Sequence, residues 1–315
     1  MKCLVTGAAG FIGSHLCEKL LDSGFFVTGI DSFTDYYSKE LKKKNLEFLV
    51  KNKSFELIQG DINMMDMTSP IKKCDFVFHL AAQAGVRASW GDDFSIYTKN
   101  NIESTQKILE TCKKYPVKKI VYASSSSVYG NTPDLPMKEN SQLIPYSPYG
   151  VTKLAAENLC SLYHANYGLP VVSLRYFTVY GPRQRPDMAF HKFLKAVGEN
   201  KPIEIYGTGE QTRDFTYIDD IVTANISAAE QGKKGEIYNL GGGNQQKLSH
   251  IFPVLETVCQ KEIQINKIEK QKGDVQHTYA SISKAQKDLC YQPLIKIKEG
   301  LEREWLWIKN VYSFQ

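Results

Sequence analysis

The sequence predicts an α/β fold: a doubly wound parallel sheet with a smaller, interleaved C-terminal lobe. Short apolar runs alternate with longer amphipathic runs through the first 175 residues. Runs that are apolar throughout are typical of parallel strands covered by helices on both faces. A glycine-rich turn directly after the first run supports the same architecture.

Six apolar runs are the candidate strands, and four amphipathic stretches are the helices expected between them. The candidate strands are Lys2–Thr6, Phe25–Ile30, Phe55–Gln59, Phe76–Leu80, Lys119–Ala123 and Val171–Arg175. The candidate helices are Phe11–Leu21, Lys39–Lys51, Asn101–Tyr115 and Tyr149–Tyr167. Because crossovers between parallel strands are right-handed, these helices cover both faces of one sheet.

After Arg175 the alternation loosens, and residues 181–186 and 206–209 have the glycine and proline content of loops. A helix is expected at Ile218–Ala229, and a strand at Ile237–Leu240 is expected to rejoin the sheet. The predicted division is a first domain of residues 1–175 plus roughly 215–243, and a second lobe of residues 176–214 and 244–315.

Composition and charge limit the classes of function. The 315 residues carry a formal net charge of +5, with 42% hydrophobic and 23% charged residues, as in soluble globular proteins. This mild, scattered charge argues against a nucleic-acid partner, although it would help to attract an anionic substrate. The seven cysteines are irregularly spaced and form no Cys-x-x-Cys motif, which argues against a disulfide framework or a metal site. Without a signal peptide or a run of transmembrane length, a cytoplasmic protein with no membrane partner is expected.

Gly7, Gly10 and Gly13 form a Gly-x-x-Gly-x-x-Gly motif between the first strand and the first helix. In a Rossmann fold the first glycine permits a sharp turn, the second lets the backbone approach a pyrophosphate, and the third lets helix and strand pack closely. Asp31 ends the second strand, where a carboxylate can bind an adenosine ribose diol and would repel a 2′-phosphate, so NAD is favoured over NADP. The other cofactor contacts expected in the loop and at strand ends are Phe11, Ile12, Asp61, Ile62, Ala81 and Ala82.

Tyr149 and Lys153 are four residues apart, so on a helix their side chains share one face. The lysine ammonium and a nicotinamide ring would both lower the pKa of the phenol, which is ordinarily ~10. The phenolate could then take a proton from a substrate hydroxyl while hydride leaves the same carbon, and Lys153 could also hold the nicotinamide ribose. An isolated Tyr-x-x-x-Lys is more often ordinary helix packing, but the preceding glycine motif favours the catalytic interpretation.

Four consecutive serines, residues 124–127, end the fifth strand and supply hydroxyl groups that could relay the same proton. Strand alternation turns only some of them toward a substrate, and a run of serines is also ordinary loop chemistry. Ser125, Ser126 and Ser127 are therefore candidate catalytic residues, together with the tyrosine and the lysine.

These motifs resemble those of the extended short-chain dehydrogenase/reductase family, in particular its NAD-dependent nucleotide-sugar epimerases and dehydratases. The resemblance runs through nearly the whole chain and rests on the glycine motif, His79–Ala82, Ser124–Gly130, the Tyr149/Lys153 pair, Arg175–Phe177 and Gln211–Tyr217. It implies that NAD is the cofactor, that a UDP-sugar is the substrate and that the second lobe binds the nucleotide sugar. By resemblance, Ser125 is the catalytic hydroxyl, Asn101 and Tyr176 contact the cofactor, Arg213 binds the UDP diphosphate and Asp274 contacts a ribose.

Two places in the sequence favour one branch of that family. Sugar-nucleotide 4,6-dehydratases have Asp-Glu immediately before Val-Tyr-Gly, and UDP-glucuronate decarboxylases have Glu there, whereas this chain has Ser126 and Ser127. Without that acid the elimination route lacks its proton carrier. The string Phe-Thr-Val-Tyr-Gly-Pro…Arg-Pro-Asp-Met-Ala, residues 177–189, is similar to that of UDP-glucuronate 4-epimerases, and UDP-glucose 4-epimerases typically have Asn in place of Thr178.

Arg185, within that string, offers a planar bidentate partner for a sugar carboxylate, and Arg87 is a second candidate contact for an anion. Either arginine could instead bind phosphate or form a structural ion pair. The remaining residues expected to bind substrate are Thr178, Ala189, Tyr206, Gln211, Arg213 and Asp274.

The resemblance predicts reversible C4 epimerisation of UDP-glucuronate to UDP-galacturonate through a transient 4-keto sugar. The alternatives are a 4-epimerase of UDP-glucose or UDP-N-acetylglucosamine, and a catalytically silent NAD-binding regulatory protein. A homodimer is also implied by resemblance, with helices near residues 101–115 and 149–167 forming a four-helix seam.

Overall fold

The structure of the protein, a computed structural model, describes residues 1–269 and 271–314. Its strands are β1 (Lys2–Thr6), β2 (Phe26–Asp31), β3 (Phe55–Gln59), β4 (Phe76–His79), β5 (Lys119–Ser125), β6 (Val171–Tyr176), β7 (Thr178–Tyr180), β8 (Ile203–Tyr206), β9 (Thr212–Tyr217), β10 (Ile237–Leu240), β11 (Gln245–Lys247) and β12 (Ile265–Ile268). Seven of them form a parallel sheet in the order β10-β6-β5-β4-β1-β2-β3. The predicted doubly wound sheet is confirmed, including the return of β10 to its edge.

The helices are α1 (Phe11–Asp22), α2 (Lys39–Leu46), α3 (Thr68–Lys72), α4 (Phe94–Tyr97), α5 (Ser104–Lys114), α6 (Pro148–Tyr167), α7 (Ala189–Gly198), α8 (Ile218–Glu230), α9 (Phe252–Cys259), α10 (Ser283–Leu289) and α11 (Ile297–Tyr312). The helix expected to reach Lys51 ends at Leu46 and is followed by a tighter 3-10 turn, which keeps Leu49 buried while Phe48 is exposed. The helix expected from Asn101 starts at Ser104, because the preceding stretch is π-helical.

Two hydrophobic cores, one on each face, cover the central sheet. In β1 the neighbouring residues Leu4 and Val5 are both fully buried, and they belong to different cores because successive side chains of a strand point to opposite faces. Ile120 and Val121 of β5 divide in the same way. α5 and α6 cover one face, and α1 and α8 pack together on the other.

The smaller interleaved lobe is built on two further sheets. One has the order β11-β9-β7, and the other pairs β12 with β8 in parallel. α7 and α11 pack on these strands, and α7, α9 and α11 pack on one another. Among residues 1–269 and 271–314, no helix combines the length and the apolarity that a membrane crossing requires.

Candidate active site

A cleft follows the carboxyl edge of the central sheet, which is where ligands bind in this architecture. The parallel register aligns the strand ends there: Thr6 lies beside Ile30 and His79, and Ser125 lies beside Tyr176. The predicted site residues that line the cleft are Gly7, Gly10, Phe11, Ile12, Gly13, Asp31, Asp61, Ile62, Ala81, Ala82, Tyr149, Lys153, Tyr176 and Arg185.

The glycine motif shapes one wall of this cleft. Gly7 has a φ of +72°, and a Cβ at that position would lie 3.0 Å from the backbone nitrogen of Ala81. A Cβ at Gly13 would overlap the carbonyl oxygen of Gly7, so α1 packs this closely on β1 only because the residue is glycine. Gly10, at the N-cap of α1, has no side chain to cap the first amides, which are left to bind an anion.

Asp31 presents its carboxylate at the end of β2. Its Oδ2 accepts a hydrogen bond from the Ala9 backbone N–H at 3.0 Å, and its Oδ1 accepts one from Phe33 at 2.8 Å. These bonds orient the carboxylate while leaving lone pairs for a ribose diol. Lys42, which no motif marked in the sequence, lines the same end of the cleft and donates to the Thr34 carbonyl oxygen at 2.8 Å. Burial lowers the pKa of Lys42.

Asp61 lies in the turn after β3. Its Oδ1 accepts a hydrogen bond from the Asn63 backbone N–H at 2.8 Å, and its Oδ2 lies 3.1 Å from the Lys99 ammonium. Asp61 and Ile62 therefore form a rigid corner of the cleft, with one carboxylate edge partly neutralised.

Asn101 lies behind the wall of the cleft rather than on it. Its Oδ1 accepts from the Gln83 N–H at 2.7 Å, and its Nδ2 donates to the Gln83 carbonyl oxygen at 3.0 Å and to the Thr152 hydroxyl at 2.9 Å. Its neighbour Asn100 lines the cleft instead. The structure therefore gives Asn101 a bracing role between the loop after β4 and α6, and its cofactor contact stays a prediction.

Two serines at the end of β5 face opposite ways. Ser124 is buried, and its hydroxyl donates to Glu157 Oε2 at 2.6 Å. Ser125, on the other face of the strand, lies close enough to the Tyr149 hydroxyl to lower the pKa of the phenol. Strand alternation thus selects Ser125 as the serine next to the phenol.

Ser126 and Ser127 belong to the 3-10 turn that follows β5. Ser125 Oγ accepts from the Ser127 backbone N–H at 3.1 Å and donates to the Ser127 hydroxyl at 3.2 Å. The turn therefore fixes Ser125 and brings the Ser127 hydroxyl close to it.

α6 begins so that Tyr149 falls in its first turn. The Ser147 hydroxyl caps the helix by accepting a backbone N–H at 3.1 Å, and Pro148 occupies the first helical position. Lys153 is buried one turn later, with its ammonium 4.5 Å from the centre of the Tyr122 ring. Burial lowers the pKa of Lys153 to about 8.

The pKa of Tyr149 is raised by burial, and the positive charge of Arg185 is the largest influence that lowers it. The Ser125 side chain lowers this pKa further, whereas the charge of Asp187 raises it. The sequence predicts that Lys153 and a bound nicotinamide ring lower this pKa. The structure adds Arg185 as a further positive charge that lowers it, and places the Lys153 ammonium over the Tyr122 ring.

Arg185 forms a bidentate ion pair with Asp187, in which Nε donates to Oδ1 and Nη2 donates to Oδ2, each at 2.9 Å. The Tyr36 hydroxyl also donates to Asp187 Oδ2, at 3.2 Å. Arg185 nevertheless lines the cleft. One edge of its guanidinium forms the ion pair, and the other edge is available to a ligand. Nearby, Thr178 opens β7 and is half-buried, and Ala189 is the first, exposed residue of α7.

A second group of predicted residues meets where the smaller lobe faces the loop after β4. Arg87 lies 2.8 Å from the Asp274 carboxylate, and its guanidinium lies 3.9 Å from the centre of the Tyr206 ring. Gln211 donates to the Tyr206 carbonyl oxygen at 3.2 Å. Arg213 donates to three backbone carbonyl oxygens of residues 212, 275 and 276, and burial lowers its pKa. Two guanidiniums beside one carboxylate make this end of the site suitable for an anion.

A family model described as the NAD dependent epimerase/dehydratase family matches residues 3–241. The chain belongs to this family. A UDP-glucuronate 4-epimerase of Thermodesulfobacterium geofontis is 44% identical over 313 residues, which cover 98% of this chain and 96% of that protein. An uncharacterised UDP-glucose epimerase of Bacillus subtilis is 44% identical over 317 residues, covering 99% of each. The crystal structure of a UDP-glucuronic acid 4-epimerase from Bacillus cereus, in complex with UDP-glucuronic acid and NAD, is 47% identical, has a TM-score of 0.97, and covers 99% of this chain and 100% of that one.

The family membership that the motifs predicted is confirmed at the level of this epimerase/dehydratase family. NAD as the cofactor is confirmed with it. The cleft fits a dinucleotide, since the positions of Gly7 and Gly13 leave no room for a Cβ and Asp31 offers an oriented carboxylate. In the part of the chain that the structure describes, no group of three or more His, Cys, Asp or Glu side chains is placed to hold a metal ion.

Tyr36, Lys42, Glu157 and Asp187 are among the residues around this epimerase/dehydratase site that the sequence analysis did not mark. Glu157 lies four residues after Lys153 on the same helix, and Asp187 lies two residues after Arg185, so spacing could have marked both. Tyr36 and Lys42 come from the segment after β2 and reach the cleft only through tertiary packing.

Proposed function

We propose that this protein is an NAD-dependent 4-epimerase that interconverts UDP-glucuronate and UDP-galacturonate. The observation that carries the proposal is a single cleft in which Tyr149, next to Ser125, shares the lining with Arg185. A proton-transfer group and an oriented cation in one cleft suit an alcohol on a sugar that also carries a carboxylate. Relatives of the chain include 4-epimerases of that sugar, one crystallised with UDP-glucuronic acid and NAD.

The cofactor is proposed to lie along the carboxyl edge of the sheet. The first amides of α1 would bind its diphosphate, Asp31 would bind the adenosine ribose, and Lys153 would bind the nicotinamide ribose. When bound, NAD supplies the redox chemistry: it takes hydride from C4 and gives it back to the opposite face of the sugar ring. The other proposed contacts are Phe11, Ile12, Asp61, Ile62, Ala81, Ala82 and Tyr176.

Tyr149 is proposed to take the proton of the C4 hydroxyl and to return it after the keto sugar has turned over. The charge of Arg185 and the Ser125 side chain both lower the pKa of the phenol, against the rise caused by burial. Ser125 also holds the reacting oxygen beside the phenol, with Ser126 and Ser127 shaping the turn beyond it. No net oxidation of the sugar results, so the cofactor need not leave.

The nucleotide is proposed to bind where Arg87, Tyr206 and Arg213 meet. Three of the five N–H groups of Arg213 bond to backbone oxygens, which orient the guanidinium and leave two for a diphosphate. The amides at the start of α7, near Ala189, add a helix N-terminus that favours negative charge. Gln211 and Asp274 are proposed to contact the uridine.

The 4-keto intermediate of a uronate is a β-keto acid, which loses carbon dioxide when the C5–C6 bond aligns with the carbonyl π system. Arg185, with the hydroxyls of Thr178 and Ser127, is proposed to hold the carboxylate out of that alignment. Precise positioning of this kind can change a barrier by several kcal/mol.

A direct test is to incubate the protein with NAD and UDP-glucuronate labelled with deuterium at C4, and to follow products by NMR. We expect the C4 epimer with deuterium retained on the sugar. UDP-xylose or a stable keto sugar as main product, or deuterium lost to water without inversion, would reject the proposal. A substrate panel separates the alternatives: preference for UDP-glucose or UDP-N-acetylglucosamine indicates a hexose 4-epimerase, and NAD binding without turnover of any UDP-sugar indicates a regulatory protein.

We further propose that the chain divides into an NAD-binding domain (residues 1–175 and roughly 215–243) and a nucleotide-sugar lobe (176–214 and 244–315). We also propose a cytoplasmic location and a homodimer.

Exposed apolar side chains on α6, among them Val151 and Leu162, support a dimer seam on that helix. In sedimentation, Leu162→Asp should yield monomer, whereas Leu306→Asp, at a position 61% exposed on α11, should not. An unchanged dimer in the Leu162 variant would place the seam elsewhere.

A further inference from the structure

We propose that Asp187, supported by Tyr36, is a positioning residue that fixes the orientation of Arg185 and thereby determines whether an acidic sugar keeps its carboxylate during turnover. This inference rests on the proposed function, because it concerns the same cleft and the same substrate class.

Asp187 holds Arg185 by one edge of its guanidinium. The two bonds from Nε and Nη2 to the carboxylate are both 2.9 Å, which is the fork geometry that fixes the guanidinium plane. Two of the five N–H groups of Arg185 are thereby used. The other three lie on Nη1 and Nη2 and form the outer edge, which remains suitable for a second carboxylate.

Tyr36 in turn holds Asp187 from the segment after β2. Its hydroxyl donates to Asp187 Oδ2 at 3.2 Å and lies against Gly85, where a Cβ would overlap it. The loop that carries Gly85 is itself braced, since the Tyr97 hydroxyl donates to the carbonyl oxygens of Ala84 and Gly85 at 3.0 and 2.9 Å. Arg185 is therefore connected through Asp187 and Tyr36 to two strand ends of the central sheet.

An arginine held in this way imposes its own plane on a bound carboxylate. An arginine without this ion pair could rotate with the carboxylate. The C5–C6 bond could then align with the π system of the 4-keto group, which is the geometry in which it breaks. In that side reaction the carboxylate leaves as carbon dioxide, the bonding electron pair passes to the 4-keto group as an enolate, and C5 then takes a proton. The hydride taken from C4 stays on NADH and can return to the 4-keto pentose that remains, so no further oxidant or reductant is needed.

Two variants test this role with UDP-glucuronate labelled with ¹³C at C6, NAD and the full-length protein. Asp187→Asn keeps the size of the side chain and one acceptor but removes the charge and the second bond. Tyr36→Phe removes only the supporting hydroxyl. We expect the ratio of labelled carbon dioxide to 4-epimer to rise about tenfold in Asp187→Asn, because a misplacement of about 1 Å can cost about 10²-fold and the remaining acceptor should keep the displacement smaller than that. The ratio should rise in the same direction by less in Tyr36→Phe.

Glu18→Gln is the matched control. It breaks an ion pair of Arg183 in the same loop, where the distance is 2.6 Å, without touching Arg185, and should leave the product ratio unchanged. Slower turnover in Asp187→Asn and Tyr36→Phe at an unchanged ratio would show a merely structural role and overturn the inference. If Asp187→Asn does not fold, Tyr36→Phe decides alone. Failure of the wild-type protein to form any 4-epimer would instead overturn the proposed function.

Discussion

The ion pair between Glu157 and Arg175 ties α6 to the end of the central sheet, and its loss should be costly. Both side chains are 1% exposed, and Arg175 Nη2 lies 2.6 Å from Glu157 Oε1. Arg175 Nε donates to both carboxylate oxygens, at 3.0 and 3.3 Å. Glu157 also accepts from Ser124 at 2.6 Å, so the same carboxylate orients the strand that carries Ser125.

The perturbation is Glu157→Gln, which removes the charge at nearly constant size. Arg175 would keep the Tyr129 hydroxyl and the Glu139 carbonyl oxygen as partners, at 2.7 and 3.0 Å, but would be a buried charge without a counter-charge. Removing one partner of a buried pair costs about 3–5 kcal/mol. Because glutamine retains one acceptor oxygen, we expect a loss of about 3 kcal/mol in the free energy of unfolding.

The chain offers a matched control in the pair between Glu18 and Arg183. Its distance is also 2.6 Å, but its side chains are 32% and 16% exposed. Partly exposed pairs contribute about 1 kcal/mol or less, so Glu18→Gln should be nearly neutral. Urea unfolding followed by circular dichroism, with NAD at one fixed excess, measures both variants. A difference between them of less than about 1 kcal/mol, with equal m-values, would refute the reasoning that burial governs the cost.

Four further predictions concern the cleft and its surroundings. Tyr149→Phe should lower kcat by a factor of about 10²–10⁴ while calorimetry shows substrate binding retained; wild-type turnover would remove the phenol from the mechanism. Arg185→Ala should raise KM for UDP-glucuronate far more than for UDP-glucose, and equal losses would reassign the arginine to phosphate. Gly13→Ala should abolish NAD binding in a fluorescence titration, since its Cβ overlaps the Gly7 carbonyl oxygen; unchanged affinity would contradict that geometry. Burial lowers the pKa of His79 to about 3, so its contribution to stability is full above its unfolded pKa of ~6.5 and is lost as pH falls below it. Unfolding free energies should therefore fall by about 1.4 kcal/mol per pH unit from this residue below pH ~6, and His79→Asn should flatten that slope.

The central sheet could be predicted because its signals are local. β1 and β3 have the bounds that the apolar runs indicated, and β10 rejoins the sheet as expected. Helix bounds were predicted less accurately: the helix expected to reach Lys51 ends at Leu46, and the one expected from Asn101 starts at Ser104 after a π-helical stretch. Nothing in the pattern of residues 98–103 marks that stretch, in which the Asn101 side chain bonds to Gln83 and Thr152.

The site could be predicted in outline for the same reason. The glycine motif, Asp31 and the Tyr149/Lys153 pair are short-range patterns whose spacing carries the chemistry. The choice among the serines, in contrast, required the partners on either side of β5, since Ser124 and Ser125 differ only in which face they present.

The amino-acid sequence alone determined the parallel sheet, the dinucleotide loop and the types of residue that can transfer a proton, because each depends on neighbours a few positions apart. Only the tertiary structure placed the Arg185 guanidinium where its charge lowers the pKa of the Tyr149 phenol, against the rise that burial causes. It also decided that Arg185 is held by Asp187 and Tyr36. Those interactions join segments far apart in the chain, and a Coulomb interaction depends on distance and burial in space, which residue spacing does not record.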